Sequence, residues 1–174
     1  FADLGDNIDE TSQKLGISAE SFSALSFAAE QTGGSVGSLS AVFKTMAKLT
    51  VNAANGGKEA AEAFAAIGLS AEEVVNLSPD QQFLEIADAI SQIPNASERT
   101  ATALKFFGKG AQDLIPLLSG GRAGIEEFMR EAERLGIVMD GETAAAAGKL
   151  PRLWASWLCL APQRLRLEFG DPCL

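Results

Sequence analysis

The residues of this chain that could do chemistry are few, and their spacing removes most of what they could do. There is no histidine among the 174 residues, so neither a nucleophile–histidine–carboxylate triad nor an imidazole metal ligand can be assembled. The two cysteines, Cys159 and Cys173, have neither zinc-ligand spacing nor a base partner. Glu72-Glu73 and Glu126-Glu127 are adjacent acids. Neighbours on a helix point to different faces, so neither pair makes a general acid and base. Gly56-Gly57-Lys58 and Gly108-Lys109-Gly110 combine glycine with lysine. Both lack the four-residue spacing and the trailing Ser or Thr of a phosphate loop. Ser119-Gly120-Gly121-Arg122 stands before a helical run and could hold an anion on free backbone amides, though a plain turn is the simpler reading. These residues predict no catalytic, cofactor-binding or metal site, and no enzyme.

Composition narrows the class further. A net charge of −9 argues against sequence-independent nucleic-acid binding, which needs clustered Lys and Arg. No stretch of about 20 apolar residues is present, so no membrane span is expected. The N-terminus carries neither a basic start with an apolar run nor an initiator Met, which predicts that the chain begins inside a larger protein. A chain of this length can bury about 70% of its unfolded surface, enough for a real core. Asn76-Leu77-Ser78 and Asn95-Ala96-Ser97 match the glycosylation pattern and read as turn and cap residues.

The elements that must build that core are helices. Apolar residues recur at helical spacing and no segment alternates with period two, so the pattern predicts an all-α bundle of seven to nine short amphipathic helices with glycine-terminated ends and no sheet. The first polar helix, over 3–15, places Leu4, Ile8 and Leu15 on one side. Ser18 caps a second over 19–31 with Phe22, Leu25, Ala28 and Ala29. The third, 36–55, has the longest stripe: Leu39, Val42, Phe43, Met46, Leu49 and Ala53, with Lys44 and Lys48 on a solvated face. The fourth, 58–67, is anchored by Phe64 and Ile67. Ser70-Ala71-Glu72-Glu73 predicts a capping box. Ser78-Pro79-Asp80-Gln81 predicts another helix start, followed by a stripe of Phe83, Ile86, Ala87 and Ile90. Asn95 to Glu98 opens the helix leading to Phe106 and Phe107. Ile125, Phe128, Met129, Ala132 and Leu135 form a further stripe, and Asp140 caps a last helix over 143–149. Leu15-Gly16-Ile17, Ile67-Gly68-Leu69 and Leu135-Gly136-Ile137 repeat one junction: a glycine stops the helix and the next apolar residue folds back on its last turn.

All of this is organised around residues 104–118, Leu-Lys-Phe-Phe-Gly-Lys-Gly-Ala-Gln-Asp-Leu-Ile-Pro-Leu-Leu. Gly108 fits the position past a helix end, and Pro116 should kink or end the next helix. Phe106, Phe107, Leu114, Ile115, Leu117 and Leu118 bring more apolar surface than two short helices can hide. Their burial could contribute roughly 10 kcal/mol before the entropy of ordering.

Residues 107–118 closely resemble a segment of phage and prophage tail tape measure proteins. The resemblance continues upstream in Gly16-Ile17-Ser18-Ala19-Glu20-Ser21-Phe22-Ser23-Ala24-Leu25 and Ala28-Ala29-Glu30. Downstream it continues in Gly120-Gly121, the helix from Ile125, Gly136-Ile137-Val138 and Glu142-Thr143-Ala144-Ala145-Ala146. It covers roughly residues 4–150, with several motifs in the family's order. The resemblance implies a structural component of the virion tail, assembled in the bacterial host cytoplasm. A few copies lie along the tail lumen and self-associate there. Chain length sets tail length as tail tube protein polymerises around the tape with the help of tail assembly chaperones. Some family members carry a cell-wall-cleaving domain elsewhere; none of its features occur here. The alternative reading is a stand-alone helical protein–protein interaction module, whose mark would be an uncovered apolar groove at Phe106, Phe107, Leu117 and Leu118.

Residues 151–174 depart from the family pattern. They hold Trp154 and Trp157, Cys159 and Cys173, and three of the six prolines, and Arg152, Arg164 and Arg166 make them basic. The expected organisation is therefore a helical segment over 1–150 and an atypical tail over 151–174. The tail reads as out-of-frame or junction sequence, with a genuine interaction arm as the rival.

Overall fold

The computed structural model describes residues 2–138. Among them are nine α-helices and no strand: α1 (Ala2–Leu15), α2 (Ala19–Gln31), α3 (Val36–Ala54), α4 (Lys58–Ala66), α5 (Ala71–Val75), α6 (Pro79–Ser91), α7 (Ala96–Phe107), α8 (Ala111–Ser119) and α9 (Gly121–Arg134). A single 3-10 turn, Gly108–Gly110, joins α7 to α8. The expected all-α bundle is the observed one. The Asp140 cap, the helix over 143–149 and the tail lie outside the described residues.

The long helix α3 sits at the centre because its stripe is apolar for most of a turn. Leu39, Val42, Phe43 and Met46 are fully buried, and α4, α5, α6, α7 and α8 all pack against it. Phenylalanines carry the core from helix to helix. Phe43 stands 6.4 Å from Phe22 of α2 and 5.3 Å from Phe83 of α6, and Phe83 stands 5.3 Å from Phe107 of α7. Phe64 of α4 meets Phe106 edge-on at 5.0 Å. Tilted and edge-on rings avoid stacking like partial charges face to face. Helix α9 closes the bundle against α2 and α6 through Ile125 and Ala132.

The glycine junctions are one device. At Gly16, Gly68 and Gly136 the backbone is left-handed, with φ of 69°, 75° and 66°. The following amide reaches back five residues: Ile17 to Ser12 O, Leu69 to Phe64 O and Ile137 to Ala132 O, each at 3.0 Å. That bond satisfies a helix-end carbonyl; the apolar residue after it is buried at Ile17 and half-buried at Leu69, whereas Ile137 is left exposed. The Gly33-Gly34 and Gly56-Gly57 turns use the same bond, from Gly34 to Ala29 O at 2.8 Å and from Gly57 to Asn52 O at 2.9 Å. Their kinship is hidden in the sequence because the second position is glycine instead of an apolar residue.

Helix starts divide into two kinds. Ser18 and Ser35 accept from the amides three residues on, and Asn95 accepts from Ser97 and Glu98. The capping box expected at Ser70 is not formed, because the Ser70 side chain makes no cap bond. Ser78 makes none either, although Pro79 takes the first helical position as expected. There Gln82, one residue beyond the expected Gln81, donates to Leu77 O at 2.9 Å and fastens the turn from inside. Asn95→Ala should therefore lower the unfolding free energy by about 1 kcal/mol. Ser70→Ala should change it by less than about 0.5 kcal/mol. Paired urea melts at pH 7 compare them, and equal losses would show that the cap geometry does not govern these two starts.

Candidate functional site

The corner between α7 and α8 is where the sequence placed most of the chain's organisation, and it is solid core. Phe106, Phe107, Leu114, Leu117 and Leu118 are buried, and Ile115 is half-buried. An apolar groove at Phe106, Phe107, Leu117 and Leu118 is thus contradicted: the four side chains are at most 2% exposed. The physical reason is that α7 and α8 lie against α3 and α6, which supply the apolar partners the two short helices lack. Pro116 lies inside α8, and the helix does not end there but continues to Ser119. The bond that Pro116 cannot make would go to the carbonyl of Gln112, in the exposed first turn, where water can satisfy it.

Backbone contact fixes the corner's position. Gly108 has φ 69° and ψ −160°, a region open in practice to glycine alone. A Cβ there would lie 3.2 Å from Thr45 Oγ1, and one on Gly110 would lie 2.8 Å from the Ser38 carbonyl oxygen. Gly108-Lys109-Gly110 is a seat for α3, not a phosphate cradle. Ser38 Oγ donates to Asp113 Oδ2 at 2.7 Å and ties α3 to α8 across the same contact. On the far side, Leu114 fills the space a Cβ on Gly34 would need, 2.5 Å away.

The anion-binding reading of Ser119-Gly120-Gly121-Arg122 meets an internal occupant. The Arg122 amide donates to Asp88 Oδ1 of α6 at 3.2 Å, so the start of α9 already holds a carboxylate. The Arg122 guanidinium bonds Glu126 at 2.8 Å and also pairs with Glu85. The bond to Glu126, with the charge of Glu85, raises its pKa above the ordinary arginine value against the opposing effect of burial. Gly121 is packed on Ser91 so closely that a Cβ would lie 2.6 Å from its Oγ. The sequence carried no sign of Asp88 in this role, since its partner lies 34 residues on.

The adjacent acids stay apart in function. Glu126 turns to Arg122 while Glu127 is exposed, and Glu72 and Glu73 are exposed in the first turn of α5. A shallow groove of about 320 Å³ between α2 and α9 is lined by Glu20, Ser21, Ala24, Met129, Glu133 and Val138. Among the described residues no group of three His, Cys, Asp or Glu is placed to hold a metal, and no helix is long and apolar enough to cross a membrane. The fold and these sites define a helical bundle held together by apolar corners and helix-end bonds. Comparison with protein-family models, with curated proteins and with solved structures finds no match to this chain.

Proposed function

We propose that the chain is a structural segment of a phage tail tape measure protein, a length determinant around which tail tube protein polymerises with the help of tail assembly chaperones. One observation supports this reading above the others. The motifs of the resemblance, Gly16-Ile17-Ser18, residues 107–118, Gly120-Gly121 and Gly136-Ile137, are each spent on helix ends and corners, and none on a reactive cluster. A ruler needs helix, defined length and assembly contacts; it needs no chemistry. In this reading the protein acts in the virion tail, as a few associated copies in the lumen, after assembly in the host cytoplasm.

The reading is tested by tail length. Removing about 40 residues of this region in frame from the full parent gene should shorten tails by roughly 60 Å if the segment spans the tail as helix, at about 1.5 Å per residue. Electron micrographs of purified tails give the measurement. Tails of unchanged length would remove the segment from the ruler.

A further inference from the structure

Between Glu30 and Glu59 the sequence holds no acid, and between Glu98 and Asp113 it holds none either, in a chain of net charge −9. Folding brings these two acid-free stretches together, because α3 lies against α7 and the 3-10 turn. Gly108 sits on Thr45 and Gly110 on Ser38. Lys109, between these two glycines, therefore lies along α3, where Lys44 precedes Thr45 and Lys48 follows it, four residues apart on one side of the helix. Lys105 lies one turn before Lys109. All four lysines are exposed. None takes part in the ion pairs formed among the described residues, which join Lys14, Arg122 and Arg134 to acids within reach. The one acid nearby in sequence, Asp113, is turned to Ser38. Lys44 and Lys48 are four apart on one helix, a like-charge pairing that disfavours the helix when no acid relieves it.

We infer that this edge, with Lys44, Lys48, Lys105 and Lys109, is a docking surface for an acidic, carboxylate-bearing segment of a partner protein. Charge complementarity selects the occupant. A nucleic acid carries a charge about every 1.7 Å along its axis and would continue past the patch over a chain of net charge −9. No aromatic ring is exposed among the described residues to stack a base. A short run of Asp and Glu fits the patch and ends where the patch ends.

The test titrates the full chain with a glutamate oligomer of about 12 residues and, separately, with a single-stranded oligonucleotide of about 12 nucleotides, in low salt. The glutamate oligomer should bind, and binding should fade as salt is raised through the range that screens exposed charges. Lys48→Gln with Lys109→Gln should weaken binding about fivefold. Lys44→Gln with Lys105→Gln should weaken it in the same direction. Lys14→Gln with Lys58→Gln should leave it unchanged. All three double variants change exposed side chains, and far-UV circular dichroism checks that each keeps its helix. Absence of binding in low salt, equal losses in all three variants, or tighter binding of the oligonucleotide would each overturn the assignment.

Discussion

Phe83→Ala is expected to remove about 4 kcal/mol of unfolding free energy. Phe83 is fully buried on α6, with Phe43 and Phe107 each at 5.3 Å. Truncation takes away the transfer energy of the ring and both ring contacts. It also leaves a cavity that three separate helices would have to shift to fill, and close-packed interiors relax only in part. Single domains are stable by about 5–15 kcal/mol, so a loss of this size takes roughly a quarter or more of the total. The comparison is Phe128→Ala on α9, where the ring is half-buried and the loss should be about half as large. Urea melts of both variants in one buffer decide the matter. Equal losses would mean that the Phe43–Phe83–Phe107 line does not hold the helices together.

Gly108→Ala is expected to cost about 3 kcal/mol, three times the cost of Gly16→Ala. Both glycines have φ of 69°. At Gly16 nothing lies within 4 Å of the added Cβ, so only the left-handed backbone penalty of about 1 kcal/mol applies. At Gly108 the ψ of −160° excludes other residues more strongly, and Thr45 side-chain atoms lie 3.2 and 3.3 Å from the new methyl. Relieving that contact asks Thr45, whose hydroxyl donates to the Ala41 carbonyl, to give by a few tenths of an ångström. Gly110→Ala separates the two causes. Its backbone is ordinary helical, so any loss there comes from the Ser38 carbonyl 2.8 Å away. If Gly108→Ala and Gly16→Ala melt together, the corner is not seated on α3 as described.

The two substitutions bear on the ruler reading as well. A compact bundle stands on the Phe line and the corner, whereas a helix extended along a tail lumen would use neither. If Phe83→Ala unfolds the isolated chain yet leaves tail length untouched in the parent protein, the segment works extended. If tails fail to form, the bundle itself is what assembly needs.

The local part of the fold was legible in the residues: helix class, most helix bounds and the glycine stops. Helix 19–31 falls where its stripe and Ser18 put it, because Phe22, Leu25, Ala28 and Ala29 recur at 3.6-residue spacing and Ser18 has a side-chain oxygen to offer. Gly16, Gly68 and Gly136 were legible because left-handed backbone leaves its mark in residue type. The lack of a triad or imidazole ligand also follows from composition alone. Which distant groups meet follows from packing and left no mark in local spacing. Ser70 and Ser78 have the capping residue type without the cap bond, and Asp88 holds the start of α9 with no local signature at all. Pro116 is carried inside α8 because its missing bond falls at an exposed first turn, and neighbours hold the helix on both sides. The Phe106–Leu118 stripe is covered, not open, because α3 and α6 arrive from far along the chain. The lysine edge exists only because two acid-free stretches, silent when read apart, are packed side by side. Propensity and spacing act within a few residues, whereas burial and charge are properties of the surface that folding leaves.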